Sequence, residues 1–100
     1  MRVVSLETFL ANAGLRNYCF LRLTTDTGLT GVGEASLEWQ ERTTELLIHE
    51  LLEDRYVIGA DPFDIESLVM RMIRDQYHGG TAAMTAISAV EIACWDIVGK

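Results

Sequence analysis

The sequence has few residues of several types, and each shortage excludes a class of function. Only one of its eight cations is a lysine, Lys100; the arginines are scattered along the chain, and the formal net charge is −7. Nucleic-acid binding needs clustered cations, so we expect no nucleic-acid partner. No apolar run approaches the roughly 20 residues that span a bilayer, so we also expect no membrane segment.

Cysteine and histidine are also scarce, with two of each. Cys19 and Cys94 lie inside apolar segments and form no CxxC pair, which favours two buried free thiols in a reducing compartment. A disulfide between them is the alternative. The N-terminus has no charged and then apolar leader, so the expected location is cytoplasmic. His49 lies in a helical pattern beside acidic residues, so we expect it to be solvated. Neither His49 nor His78 belongs to a metal-spacing motif, and we expect no metal site among these residues.

One hundred residues predict a single domain, and the first third of the chain predicts three β-strands. Apolar residues alternate from Val4 to Leu10, and a β-rich run from Tyr18 to Thr25 places Cys19, Leu21 and Leu23 on one face. Asp26-Thr27-Gly28 predicts a hairpin turn, followed by a third strand over about 29–35. Its glycines, Gly31 and Gly33, share a face, so another element can approach the backbone there.

Three helices are predicted in the rest of the chain, which makes the fold class α+β: an antiparallel three-stranded meander followed by three helices. Helical spacing of apolar residues marks the first helix, over about Glu41 to Arg55. Asp61-Pro62 predicts the start of the second, because aspartate caps free amides and proline there loses no hydrogen bond. Thr81 can cap the third helix, which runs to the end of the chain.

The third predicted helix is apolar on nearly all sides, which is typical of a helix buried on several sides. One seam is formed by Ala83, Ile87, Val90, Cys94 and Ile97, and much of the rest by Met84, Ala86, Ala89, Ala93 and Trp95. A three-stranded sheet and two short helices can cover only one of these faces. We therefore expect a further structural unit, outside these residues, to cover the other.

Candidate ligand-binding residues lie between the predicted elements, where loops carry sites disproportionately often. Trp39 lies in a polar stretch before the first helix and indicates a contact surface or ligand wall, or else packs over the domain's own core. His78 lies in a Tyr-His-Gly-Gly turn, where the alternative is a plain surface histidine. Glu34 ends a strand and lines a pocket, or else forms a buried ion pair.

Three segments of the chain carry a family resemblance. Residues 25–35 read TDTGLTGVGEA, residues 59–66 read GADPFDIE, and residues 86–100 read AISAVEIACWDIVGK. In order and approximate spacing these resemble the second hairpin, the next helix start and the barrel-entry helix of the enolase superfamily's N-terminal capping domain. The most similar group is that of mandelate racemase and muconate lactonizing enzyme.

The resemblance implies that residues 1–100 are a capping (lid) domain, ending at the helix that leads into a (β/α) barrel absent from this chain. Members of this superfamily abstract the proton next to a carboxylate and stabilise the enediolate on Mg²⁺. In the family, the metal ligands and the catalytic bases come from barrel strands. The resemblance therefore implies no catalytic and no metal-binding residue in this chain. It also implies a homo-oligomer, because the family's oligomers are often large.

The lid would contribute loops that exclude water and shape specificity. By position these loops are residues 12–17 and 37–42, and the turn at 78–80 resembles one found in acid-sugar dehydratases. The resemblance thus favours a sugar-acid dehydratase with a gluconate- or galactonate-like substrate. The alternatives are a racemase, an epimerase or a cycloisomerase of the same superfamily, or a non-catalytic stand-alone binding or dimerisation module. The candidates for contact with the substrate are Asn17, Trp39, Arg42 and His78.

Overall fold

A sheet of three antiparallel strands forms one layer of the domain, and helices pack on one of its faces. The computed structural model describes residues 1–12, 17–36, 41–75 and 80–100. The strands are β1 (Val3–Asn12), β2 (Asn17–Thr25) and β3 (Thr30–Glu34), in the order β1-β2-β3. The predicted meander followed by helices is confirmed.

The register of the sheet decides which strand residues reach the core. In β2, Leu21 and Leu23 are fully buried, as the alternation predicts. In β1 the pairing shifts between Val3 and Ser5, so Val4 is an extra residue and is 53% exposed, while Val3 is buried. The predicted alternation that begins at Val4 therefore fails at the start of the strand, because a bulge shifts the buried face by one residue.

The first predicted helix has two parts that follow each other directly. Helix α1 spans Glu41–Leu47, and a π-helical segment spans Ile48–Val57. At its end, the backbone N–H of Ile58 donates to the carbonyl of Glu53, five residues earlier, at 2.9 Å. Ile48 and Leu52 are buried, so the predicted apolar face meets the core although the second part is wound more widely.

Helix α2 spans Ile65–Asp75 and begins three residues after Pro62, so the predicted start at Asp61-Pro62 was wrong. The carboxylate of Asp61 accepts a hydrogen bond from the N–H of Phe63 at 2.9 Å, and its carbonyl accepts one from Asp64 at 3.0 Å. Asp61 therefore closes a turn ahead of the helix, a local pattern that competes with capping. Asp64 immediately precedes the helix.

Helix α3 spans Gly80–Val98 and lies directly on β3. A β-carbon added to Gly33 would overlap the carbonyl oxygen of Ala89, and one added to Gly31 would overlap that of Ala93. The predicted close approach over the two glycines is therefore confirmed. The whole predicted seam is buried: Ala83, Ile87, Val90, Cys94 and Ile97.

The opposite face of α3 stays open within the described part of the chain. Met84, Ile92 and Trp95 are between 44% and 57% exposed. By length and composition alone α3 could cross a bilayer. Eight of its nineteen residues are nevertheless buried against the domain, as in the core helix of a globular fold.

The C-terminal end of α3 also covers the outer edge of β3. The carboxylate of Asp96 accepts a hydrogen bond from the N–H of Val32 at 3.0 Å, and Lys100 Nζ donates to the carbonyl of Thr30 at 2.7 Å. Asp96 and Lys100 also form an ion pair at 3.5 Å. Side chains thus occupy backbone groups that an edge strand would otherwise offer to another strand.

The close packing of α3 on β3 predicts that two glycine substitutions lower the free energy of unfolding by different amounts. We expect Gly33→Ala to lower the free energy of unfolding by more than about 2 kcal/mol, because its β-carbon collides with helix backbone. Gly28→Ala meets open space and suffers only the strain of φ = 89°, about 1 kcal/mol. Urea denaturation of both variants measures the difference. Equal losses would contradict the close fit.

Both cysteines are buried and neither forms a disulfide, as expected. Burial raises the pKa of the Cys94 thiol to about 11, and the charge of Glu91 adds to this rise. Burial and a hydrogen bond to Asp75 also raise the pKa of Tyr56.

The raised pKa of Cys94 predicts a loss of stability at alkaline pH. Above about pH 9 the unfolded thiol ionises while the folded one keeps its proton, so the free energy of unfolding falls until about pH 11. Below pH 9 both states hold the proton and Cys94 contributes no pH dependence. We expect the free energy of unfolding of Cys94→Ala, measured by urea denaturation, to fall less between about pH 9 and pH 11 than that of the wild type. Tyr56 contributes equally to both proteins, so identical slopes would contradict the prediction.

Candidate functional site

Three stretches of chain begin or end at the same end of the sheet, which we call the loop end. Asn12 and Asn17 are paired there, on either side of the connection between β1 and β2. Glu34, the last residue of β3, pairs with Phe20 near the start of β2. Gly80, where α3 begins, shares a groove with Glu34. Asn12, Asn17, Glu34 and Gly80, which flank three connections outside the described residues or lie near them, are therefore all at the loop end.

The exit of the chain from β3 is held by two hydrogen bonds to Cys19. The N–H of Ala35 donates to the carbonyl of Cys19 at 2.8 Å, and the hydroxyl of Ser36 accepts from the N–H of Cys19 at 3.0 Å. The segment that leads to α1 consequently starts from a fixed point on the sheet. A loop that carries specificity needs such a rigid base.

A shallow groove of about 520 Å³ opens at the loop end, between β3 and the first turns of α3. The Thr85 hydroxyl donates to the carbonyl of Thr81 at 2.8 Å. Within the described part of the chain, the carboxylate of Glu34 and the hydroxyls of Thr81 and Ser88 make no hydrogen bond. These groups can donate to and accept from a ligand rich in hydroxyls. The lining residues are Glu34, Gly80, Thr81, Met84, Thr85 and Ser88.

The four predicted substrate-contact residues stay predictions. Trp39 and His78 lie outside the described residues, and so does the side chain of Asn17, whose backbone pairs at the loop end. Arg42 is exposed in the first turn of α1, and its guanidinium forms no ion pair with a described carboxylate. Helix α1 runs antiparallel to β1, which places Arg42 toward the loop end.

The groove also contains residues that the sequence did not identify as ligand contacts. The pocket alternative for Glu34 fits the structure better than a buried ion pair, since this residue is exposed and lines the groove. Thr81 was predicted only as a helix cap. Ser88 is a polar interruption of the otherwise apolar third helix. Polar residues on an otherwise apolar helix were the signal available.

A cluster of polar side chains joins β1 to the first helix, and it includes His49, which was expected to be solvated. The hydroxyl of Thr8 donates to Glu45 Oε2 at 2.7 Å and lies 2.8 Å from His49 Nε2. His49 Nδ1 lies 2.7 Å from Glu53 Oε1. His49 is half-buried, so the expectation was wrong: the pairing of distant segments gives its ring two partners.

The chemistry of this cluster fixes one of its donors. Thr8 has one hydroxyl proton, which goes to Glu45, because an ionised carboxylate can only accept. The Thr8 oxygen then remains as an acceptor for His49 Nε2, and the tautomer of the imidazole decides which ring nitrogen donates.

The described residues contain no group of three or more histidine, cysteine or acidic side chains placed to hold a metal ion. In the cluster of Thr8, Glu45, His49 and Glu53, which we call the Thr8 cluster, the carboxylates are hydrogen-bonded to Thr8 and His49 instead. Mg²⁺ requires several oxygen ligands around one point, and this part of the chain does not offer them.

A family model described as the N-terminal domain of mandelate racemase and muconate lactonizing enzyme matches residues 4–100. This match covers both the sheet and the helices. The chain belongs to this family. The resemblance seen in the sequence is thereby confirmed.

Relatives of this mandelate racemase and muconate lactonizing enzyme domain include a D-galactonate dehydratase of Ralstonia pickettii. It is 44% identical over an alignment of 101 positions, which covers all of this chain and 25% of the relative. The chain thus spans about a quarter of the length of the curated relatives it matches.

Solved structures of family members have the same fold. A candidate dehydratase from Mesorhizobium loti is 31% identical, with a TM-score of 0.91 over 99% of this chain and 27% of that protein. An enolase from Pantoea ananatis with bound D-gluconate and magnesium is 25% identical, with a TM-score of 0.87 over 98% of this chain and 24% of that one. The fold of this domain is therefore that of the enolase superfamily's N-terminal domain.

The Thr8 cluster predicts a measurable link between β1 and the first helix. We expect Thr8→Val to lower the free energy of unfolding by about 1 kcal/mol, because Glu45 and His49 each lose a partner while the shape is kept. Thr24→Val is the matched control, since Thr24 faces away from the helices and its hydroxyl bonds to no described residue. Urea denaturation measures both variants, and equal effects would show that the cluster contributes nothing.

Proposed function

We propose that this domain is the lid of a sugar-acid dehydratase and that its loop end closes the mouth of a barrel active site. The observation that carries the proposal is that Asn12, Asn17, Glu34 and Gly80, described residues beside three connections, share one end of the domain with a polar groove. Full-length relatives named D-galactonate dehydratase support the reaction class. Their greater length leaves room for a barrel domain that would supply the catalytic centre.

The residues of the loop end suit a polyhydroxy carboxylate. The guanidinium of Arg42, which forms no ion pair with a described carboxylate, can bind a ligand carboxylate with two parallel hydrogen bonds. The carboxylate of Glu34 can accept hydrogen bonds from ligand hydroxyls, and the hydroxyls of Thr81 and Ser88 can donate or accept. In this proposal these groups orient the substrate, and the closed lid excludes water.

The reaction itself is the loss of water from a 2,3-dihydroxy acid. The proton on the carbon next to the carboxylate leaves as a proton, and the hydroxyl on the following carbon leaves as water. The resulting enol rearranges to a 2-oxo-3-deoxy acid. Mg²⁺, held by the barrel domain, would stabilise the negative charge on the carboxylate oxygens, and the Pantoea ananatis structure with magnesium and D-gluconate supports this assignment.

The open side of α2 and α3 is the surface that we assign to the barrel domain. A groove of about 600 Å³ lies between these helices, and exposed Met70 and Trp95 line it. Glu66 and Glu91 also line this groove and give it an acidic rim. An apolar centre with a charged rim is the usual composition of a contact surface.

The test is a dehydration assay of the complete gene product with D-galactonate, D-gluconate and other sugar acids. We expect a 2-oxo-3-deoxy acid with Mg²⁺ present and none after chelation. Arg42→Ala is expected to raise KM about tenfold through the loss of a carboxylate contact. Arg55→Ala, at the opposite end of the domain, should leave KM unchanged. Racemisation without loss of water, or no turnover of any sugar acid, would overturn the proposal.

A further inference from the structure

A second polar groove lies at the end of the domain opposite the loop end, beside the start of β1. Its volume is about 340 Å³, which is within the usual range for sites of small ligands. Strand β1 separates the two ends: it spans Val3–Asn12 and rises about 3.3 Å per residue, so they lie about 30 Å apart. Six polar side chains line this groove, which we call the arginine groove: Arg2, Arg55, Tyr56, Asp61, Asp64 and Arg71.

The three arginines reach the groove from separate parts of the chain. Arg2 immediately precedes β1, Arg55 lies in the π-helical segment, and Arg71 lies in α2. Within the described part of the chain, none of the three forms an ion pair with a carboxylate, whereas Arg22 and Arg74 each form one. A chain with a net charge of −7 therefore gathers three cations without an ionic partner in one groove.

Two of these arginines are held in place by hydrogen bonds that use only part of their donors. A guanidinium N–H of Arg2 donates to the carbonyl of Gly59 at 2.7 Å, and the backbone N–H of Arg2 donates to the carboxylate of Asp26 at 3.1 Å. Nε of Arg71 donates to the carbonyl of Ser67 at 3.4 Å. A guanidinium has five N–H groups, so most donors of both side chains remain for a ligand. Binding then costs less conformational entropy than it would for two unanchored arginines.

Other donors beside the groove are used within the domain. The backbone N–H groups of Gly59 and Asp64 donate to the carbonyls of Val3 and Asp61 at 2.8 and 3.0 Å. The hydroxyl of Tyr56 likewise donates its proton, to a carboxylate of α2 at 2.8 Å. The donors that remain for a ligand are therefore those of the guanidiniums.

The arrangement of charges in the groove favours one class of ligand. Guanidiniums that arrive from three elements can all donate to a phosphate group, whose oxygens point in several directions, whereas a planar carboxylate is best suited to a single guanidinium fork. Asp61 and Asp64 can accept hydrogen bonds from hydroxyl groups elsewhere on the same ligand. A small phosphate monoester that also carries hydroxyl groups satisfies both kinds of side chain.

We propose that the arginine groove binds the phosphate group of a small hydroxylated phosphate monoester. The phosphate accepts hydrogen bonds from Arg2, Arg55 and Arg71 and so joins the start of β1, the π-helical segment and α2. A ligand that binds only the folded protein stabilises it by mass action. The groove is about 30 Å from the loop end, so the bound ester leaves the proposed substrate site open. This inference goes beyond the proposed function and does not depend on it.

Isothermal titration calorimetry of the complete gene product with glycerol 3-phosphate tests this inference, at about pH 8, where the monoester is a dianion. We expect Arg71→Ala to raise Kd at least about tenfold, because charge-assisted hydrogen bonds are lost. Arg71→Lys keeps the charge without the fork and should raise Kd about threefold. Arg74→Ala is the matched control, because Arg74 is exposed on the same helix but does not line the groove. Arg42→Ala should also keep the wild-type Kd, which excludes binding at the loop end.

A folded wild type that does not bind glycerol 3-phosphate would overturn the inference. So would an unchanged Kd in Arg71→Ala, or an equal loss in Arg74→Ala, which would reflect net charge alone. Acetate that binds as tightly as the ester would overturn the choice of phosphate. If circular dichroism shows that Arg71→Ala is unfolded, Arg71→Lys decides, and an unchanged Kd there counts against the groove. The dehydration assay is independent of these results, because an inactive protein can still bind the ester and an active one can fail to.

Discussion

The contact between the backbones of α3 and β3 is the constraint on which the rest of this domain depends. Gly31 and Gly33 have no side chain, so the carbonyl groups of Ala93 and Ala89 lie directly on the strand. Helix and strand are thereby fixed at a shorter distance than ordinary side chains allow. The groove at the loop end, the cover over the edge of β3 and the open side of α3 all take their positions from this contact.

Local periodicity in the sequence predicted most of the fold. Alternation along β2, the turn at Gly28 and the buried seam of α3 follow from neighbouring residues alone, and all agree with the structure. The predictions that were wrong concern places where one extra residue breaks the alternation of a strand, or where one residue type suits two local structures. The extra residue at Val4 shifts the face of the strand, and Asp61 closes a turn as readily as it caps a helix.

The π-helical segment after α1 could not be predicted from the sequence either. Leu47, Ile48 and Leu52 suit an α-helix as well as a π-helix, because both windings can turn these residues to the same core. The packing of the whole helix against the sheet decides between them, and this packing joins residues far apart in sequence.

The candidate site was less predictable than the fold. Family resemblance indicated the loops at 12–17 and 37–42, and Glu34 was identified only as one of two alternatives. The partners of His49 depend on β1 and the first helix lying side by side, at a separation of 41 residues from Thr8. Pairing of this kind leaves no periodic trace in the sequence. The groove around Thr81 and Ser88 likewise exists only because α3 begins beside the end of β3.

The side chains that bridge α3 and β3 make the end of the helix and the edge of the sheet a single cooperative unit. If the last turn of α3 frays, Asp96 and Lys100 leave together, and the amide of Val32 and the carbonyl of Thr30 become exposed to solvent in the same event. Local opening of the helix terminus would therefore expose a bare strand edge that other chains could join. The last turn of this helix thus protects the domain against aggregation as well as completing its fold.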